Sequence, residues 1–248
     1  MSYDDHFSAK YGSGATLSPA DDAGVRAQSS FFNRVYGWMC AGLAITGVIA
    51  WFVGNNAAMQ KAIYQTPAVF IILLLVELAL VFGISAAINR ISAAAATGGF
   101  MLYAALNGLT LGWIFMAYTQ SSIAATFFVT SLTFGSMSLF GYVTRIDLTP
   151  MGRVLGMLLW GLIIATIVNI FWANSGLYWI TTYAGLLIFV GLTAYDTQKI
   201  REFSLAVRDG GVDGETAGKF AVIAALTLYL DFINIFLYLL RLFGDRRN

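Results

Sequence analysis

Three acids sit where this chain is otherwise apolar. Asp196 closes the run GLTAYD, Asp231 lies inside KFAVIAALTLYLDFINIFLYLLRLFG, and Glu77 falls midway through LLLVELALVF. A carboxyl group held away from water has a short list of uses. It holds a proton, pairs with a base, or lies on the path of a cation. The surroundings of Asp231 carry a pattern, because the polar residues of that stretch are Thr227, Asp231, Asn234, Tyr238 and Arg241. Their steps of four and three place them on one face of a helix. An acid turned toward hydrocarbon at mid-membrane costs about 3 kcal/mol even on lenient scales. That stripe is therefore expected to face protein or water, which makes the last helix an inner one. Catalysis by a buried histidine is excluded, since the lone histidine, His6, lies near the N-terminus. Cys40 is the single cysteine, so no disulfide forms within the chain.

The elements that carry these acids follow from hydropathy. Hydrophobic residues make up 58% of the chain and charged residues 11%, too few charges to hydrate a soluble surface. No charge appears between Arg34 and Lys61, Arg90 and Arg145, or Arg153 and Asp196. A spanning helix needs roughly 20 apolar residues, so the first gap holds one span and each of the others two. Seven segments are expected, near 35–53, 68–88, 97–118, 123–143, 154–172, 177–194 and 220–240. The fold class is all-α, a polytopic membrane protein, with residues 31–248 as one domain. Residues 1–30, polar and rich in small side chains, read as a disordered tail. The net charge of +1 and the lack of a basic stripe exclude nucleic acid as a partner.

Lys and Arg in the loops set the orientation. Ten of the fourteen fall in the N-terminal tail and the second–third, fourth–fifth and sixth–seventh connections. The other side holds Lys61, Arg241, Arg246 and Arg247. The N-terminus is therefore expected in the cytoplasm. An odd number of spans then leaves the basic RLFGDRRN end outside, against the usual rule.

The stretches VELALVFGIS, AALNGLTLGWIF, GLTAYDTQKI and LYLDFINIFLYLLRLFG resemble the Bax inhibitor-1 family in its bacterial branch. The resemblance implies seven helices with the C-terminal one central, a multi-pass protein of the bacterial inner membrane, and a pH-sensitive calcium leak. It also implies that Asp196 and Asp231 form a hydrogen-bonded pair acting as pH sensor and gate, with Arg90 as its latch. Glu77, Thr227, Asn234 and Tyr238 are expected to line or support the path. Two carboxyls in contact away from water cannot both ionise cheaply, so they share a proton. Losing it leaves two like charges that repel, attract Arg90, or transiently bind calcium through oxygen. Calcium ions, protons and the lipid bilayer are then the partners, and no cofactor or enzymatic step is required.

Two other readings compete. The family includes bacterial relatives thought to modulate a membrane quality-control protease, with the tail as contact. Paired aspartates on neighbouring helices also describe intramembrane aspartyl proteases, and Tyr195-Asp196 fits their first motif. Their second requires G-x-G-D, whereas residues 228–231 read Leu-Tyr-Leu-Asp.

Overall fold

The computed structural model describes residues 19–247. They form nine helices: α1 Pro19–Gly54, α2 Ala57–Tyr64, α3 Pro67–Ala87, α4 Ala93–Leu111, α5 Ile114–Ala117, α6 Gln120–Val143, α7 Thr149–Trp172, α8 Ser175–Arg208 and α9 Gly214–Phe243. Seven spans, with α4 and α5 counted as one, are long and apolar enough to cross a membrane. Among the described residues no strand forms, and the one β-bridge joins Tyr118 to Arg246.

The breaks between helices have local causes. Asn56 caps α2 by accepting from the amides of Ala58 and Met59 at 3.1 Å each. Pro67 opens α3 at a position where its missing N–H costs nothing. Ser92 caps α4, and Thr119 caps α6. At the α7–α8 corner Ala173 takes a left-handed φ of 46°, and Asn174 then caps α8. Asp213 opens α9 by accepting from the amides of Glu215 and Thr216. These bonds favour its ionised form and hold its carboxyl below the usual range.

The last helix is central. α9 packs against α1, α4, α6 and α8, and 61% of its apolar window is buried, against 11% for α3 and 6% for α7. Those two outer helices show lipid a face of Ile72, Leu75, Ile164 and Ile170. Phe100 and Tyr103 of α4 meet Tyr229 of α9 edge-on, and Phe134 of α6 meets Phe232. With little hydrophobic drive between helices in lipid, such close packing holds the bundle together.

Two helices run on beyond their apolar stretches. α8 has 34 residues, a length of about 51 Å, well past a hydrocarbon layer of about 30 Å. Its final turns pack against the first turns of α1. Gln28 donates to Ser204 at 3.0 Å, and Gly24 lies against the Arg208 carbonyl. The rings of Phe31, Phe203 and Phe220 stack there, tying α1, α8 and α9 together. Residues 19–30, expected as disordered tail, are thus helical. The ordering comes from tertiary contacts that hydropathy does not register. Residues 1–18 of that tail lie outside the described residues, and His6 with them.

Candidate functional site

Asp196 owes its place to the residues around it on α8. Gly141 of α6 has no side chain, so Ala194 of α8 comes within backbone contact of it. Thr197 donates to Ser138 of α6 at 3.2 Å, and Ser138 also bonds the Tyr36 hydroxyl of α1 at 2.5 Å. Gln198 grips the α6–α7 loop twice, accepting from Leu148 N at 2.7 Å and donating to Ile146 O at 2.8 Å. Arg201 donates to the carbonyls of Tyr142 and Thr144. Tyr195 lays its ring on Gly152 of α7. Thr197, Gln198 and Arg201 thus fasten α8 to α6 and its loop, while Asp196 turns to α9.

There it meets Asp231 of α9, the two carboxyl groups lying close enough to interact directly. Asp196 is half-buried, whereas Asp231 is 3% exposed. Asp231 Oδ2 is buried with no hydrogen-bond partner among the described residues. Two ionised carboxylates offer only acceptors to one another. A single proton on either supplies the donor that this contact lacks. Lys199, one turn on, is exposed and makes no salt bridge with Asp196 among the described residues.

The rest of the stripe on α9 is only partly enclosed. Thr227 and Asn234 are half-buried, and the Asn234 amide donates to Leu230 O of its own helix at 2.8 Å. Tyr238 lies against Gly185 and near Phe189 of α8. Arg241 is exposed at the helix end, its guanidinium 5.6 Å and 5.8 Å from the ring centres of Tyr238 and Tyr178. Arg90 departs from expectation. It is exposed beyond the end of α3, and no ion pair joins it to Asp196 or Asp231. Among the described residues, then, Arg90 occupies an exposed turn without contacting the pair through a salt bridge.

Glu77 belongs to a second buried cluster. It accepts from Thr110 Oγ1 at 2.9 Å and Asn107 Nδ2 at 3.4 Å, both on α4. Asn107 also donates to the Tyr103 hydroxyl at 3.3 Å and accepts from the Tyr229 hydroxyl at 3.3 Å. Tyr229 bonds Thr46 of α1 at 2.7 Å, and Thr46 donates to Ala104 O at 2.8 Å. Four helices converge on this chain of bonds. Thr46, Tyr103, Asn107, Thr110 and Tyr229 are not among the residues the sequence reading singled out. Asn107 and Thr110, three apart in an apolar helix, were a usable sign. Tyr229, an aromatic among aromatics, was not. Tyr229 and Asp231 are two residues apart on α9, so about 200° of rotation separates them. The central helix thus carries two polar sites on opposite sides.

No group of three or more His, Cys, Asp or Glu that could hold a metal ion occurs among the described residues. The acid pair offers at most four oxygens, short of the six to eight that calcium takes.

Comparison with known proteins assigns the lineage. A family model described as inhibitor of apoptosis-promoting Bax1 matches residues 28–248. Inner membrane protein YbhL of Escherichia coli K12 is 46% identical over 218 residues, which is 88% of this chain and 92% of that protein. An uncharacterized protein of Borreliella burgdorferi is 47% identical over 221 residues, 89% and 94% of the two chains. Another from Deinococcus radiodurans is 42% identical over 219 residues, 88% and 91%.

Proposed function

This chain belongs to the Bax inhibitor-1 family, and we propose that within it the chain is a pH-sensitive calcium leak gated by Asp196 and Asp231. Its place is the bacterial inner membrane, in keeping with the name of the YbhL relative, with the N-terminus in the cytoplasm as the loop charges direct. The observation that carries the reading is the contact between the two carboxyls, with a buried oxygen of Asp231 left without a donor.

The mechanism is electrostatic. With one proton between them the acids attract, and α8 and α9 stay closed on each other. Removing the proton leaves two negative charges that repel by about 4 kcal/mol at 4 Å and an effective dielectric constant of 20. A calcium ion or water relieves that repulsion by entering between them. The ion keeps much of its water there, since the pair is short of a full coordination shell. A site that binds this incompletely suits passage over storage. The Glu77 cluster, on the far side of α9, gives the moving helix a fixed partner through Tyr229.

The aspartyl protease reading has less support. Leu228 and Leu230 stand where that motif has its glycines, and Leu228 is fully buried, filling with a side chain the place that a glycine would leave open to a substrate strand. Protease modulation through the tail is separable by deleting residues 1–18, which leaves the leak intact on our reading.

Calcium flux into proteoliposomes across a pH series tests the proposal. Wild-type flux is expected to change with pH, and Asp196→Asn to flatten that response by supplying a permanent amide donor. A pH response of undiminished size in Asp196→Asn rejects the gate.

A further inference from the structure

The basic C-terminal end, at odds with the charge rule, has a definite structural place. Residues 244–247 fold back along the α5–α6 connection. Thr119 N donates to Asp245 O at 3.1 Å, and Arg247 N donates to Ala117 O at 2.9 Å. Asp245 N bonds the Ser122 hydroxyl at 2.9 Å. The result is a cavity of about 520 Å³ lined by Trp113, Tyr118, Tyr178, Arg241, Arg246 and Arg247.

Three arginines therefore line one cavity. Among the described residues no acid pairs with them, the one ion pair there joining Lys219 to Glu215 elsewhere. Asp245, the acid nearest in sequence, turns its Oδ2 to Ser122 at 3.4 Å instead. Arg247 Nη1 reaches the Phe115 carbonyl at 3.4 Å, and Arg241 lies over the rings of Tyr178 and Tyr238. Two of the three are thus held in position by a carbonyl and by aromatic rings, neutral partners that leave the charge free to meet an anion. Like charges gathered this way repel unless an anion joins them. A guanidinium presents a planar fork of donors that matches phosphate oxygens. Trp and Tyr side chains collect at the level of lipid headgroups. By the loop charges this end of the bundle faces outward, where the headgroups of the outer leaflet lie.

We infer that Arg241, Arg246 and Arg247 form a phosphate-binding site on the outer face, occupied by the headgroup of an anionic phospholipid. This explains why basic residues remain on the side that usually lacks them. It also places a lipid contact at the end of α9, the helix that carries Asp231.

Native mass spectrometry of the full-length protein in detergent tests the site. The probes are dioleoyl phosphatidylglycerol, dioleoyl phosphatidylcholine, glycerol phosphate and inorganic phosphate. Wild type is expected to prefer phosphatidylglycerol over phosphatidylcholine. Arg241→Gln, and separately Arg246→Gln with Arg247→Gln, should each weaken that binding about tenfold or more, one charge-assisted hydrogen bond or more being lost. Lys61→Gln, an exposed cation of the same membrane side, should leave it unchanged. Circular dichroism confirms that each variant is folded. Tight binding of either soluble phosphate, lost in the same variants and without preference for the lipid, upholds the phosphate site with a soluble occupant. Equal binding of the two lipids with no phosphate binding, or arginine variants indistinguishable from wild type, overturns it.

Discussion

Replacing Tyr229 by Phe deletes one oxygen from the centre of the bundle and leaves the ring. The edge-on contacts with Phe100 and Tyr103 survive, so the change isolates hydrogen bonding. Two bonds are lost, at 2.7 Å to Thr46 and 3.3 Å to Asn107. The single Thr46 proton, for which Tyr229 and Ala104 O compete, passes wholly to Ala104 O, whereas Asn107 Oδ1 loses its donor. Hydrogen bonds inside membrane proteins average about 0.6 kcal/mol each, because the unfolded chain in lipid also finds partners. Two then contribute about 1 kcal/mol, rising toward 3 kcal/mol if the buried Asn107 oxygen stays unpaired. Tyr238→Phe is the internal control, since among the described residues that hydroxyl makes no hydrogen bond and the ring packs on Gly185 and Phe189. Reversible unfolding in mixed micelles, with both variants against wild type, measures the difference. Tyr229→Phe should be less stable than Tyr238→Phe by about 1 kcal/mol or more. Equal stabilities refute the claim that Tyr229 ties α9 to α1 and α4.

Gly141→Ala drives a methyl group into the Ala194 backbone and should cost about 1–3 kcal/mol as α6 and α8 part. Gly135→Ala, on the same helix but in open space, should leave the unfolding midpoint where it is. Asp213→Ala removes the cap of α9, and faster amide exchange at Glu215 and Thr216 is the expected signature. Because the folded state holds the Asp213 carboxyl low, the cap's contribution is present above the ordinary Asp range and fades as pH falls through the lowered value. At acid extremes, then, wild type and Asp213→Ala should exchange alike.

How far the sequence foretold this arrangement depended on what each residue answers to. Spans answer to lipid, and the seven expected segments match seven spans with their turn residues in place. Asn56, Ser92, Thr119 and Asn174 cap where the apolar runs break. The ends of α1 and α8 answer instead to one another through Gln28, Ser204 and the Phe31–Phe203–Phe220 stack, which no periodicity records. The short α2 was missed because its eight residues are neither long nor apolar enough to register. The stripe on α9 correctly pointed Asp231 inward, since an acid has few tolerable directions in a membrane. Pairing it with Asp196 needed a resemblance, because helix periodicity says which face a residue occupies and nothing about which helix lies opposite. Tyr229 escaped notice for the complementary reason, that an aromatic ring is at home in any apolar core. Arg90 was assigned its role by resemblance alone, and its exposed position makes no ion pair with either aspartate among the described residues.

Infrared difference spectroscopy of the protonated carboxyl band, in a Glu77→Gln background to remove the other membrane acid, counts the proton directly. Near neutral pH, where exposed acids are ionised, one carboxyl signal should be present, fade on alkalinisation, and be missing from its usual position in both Asp196→Asn and Asp231→Asn. A signal that survives unchanged in either variant means that the two aspartates hold no proton in common, and the gate described here does not exist.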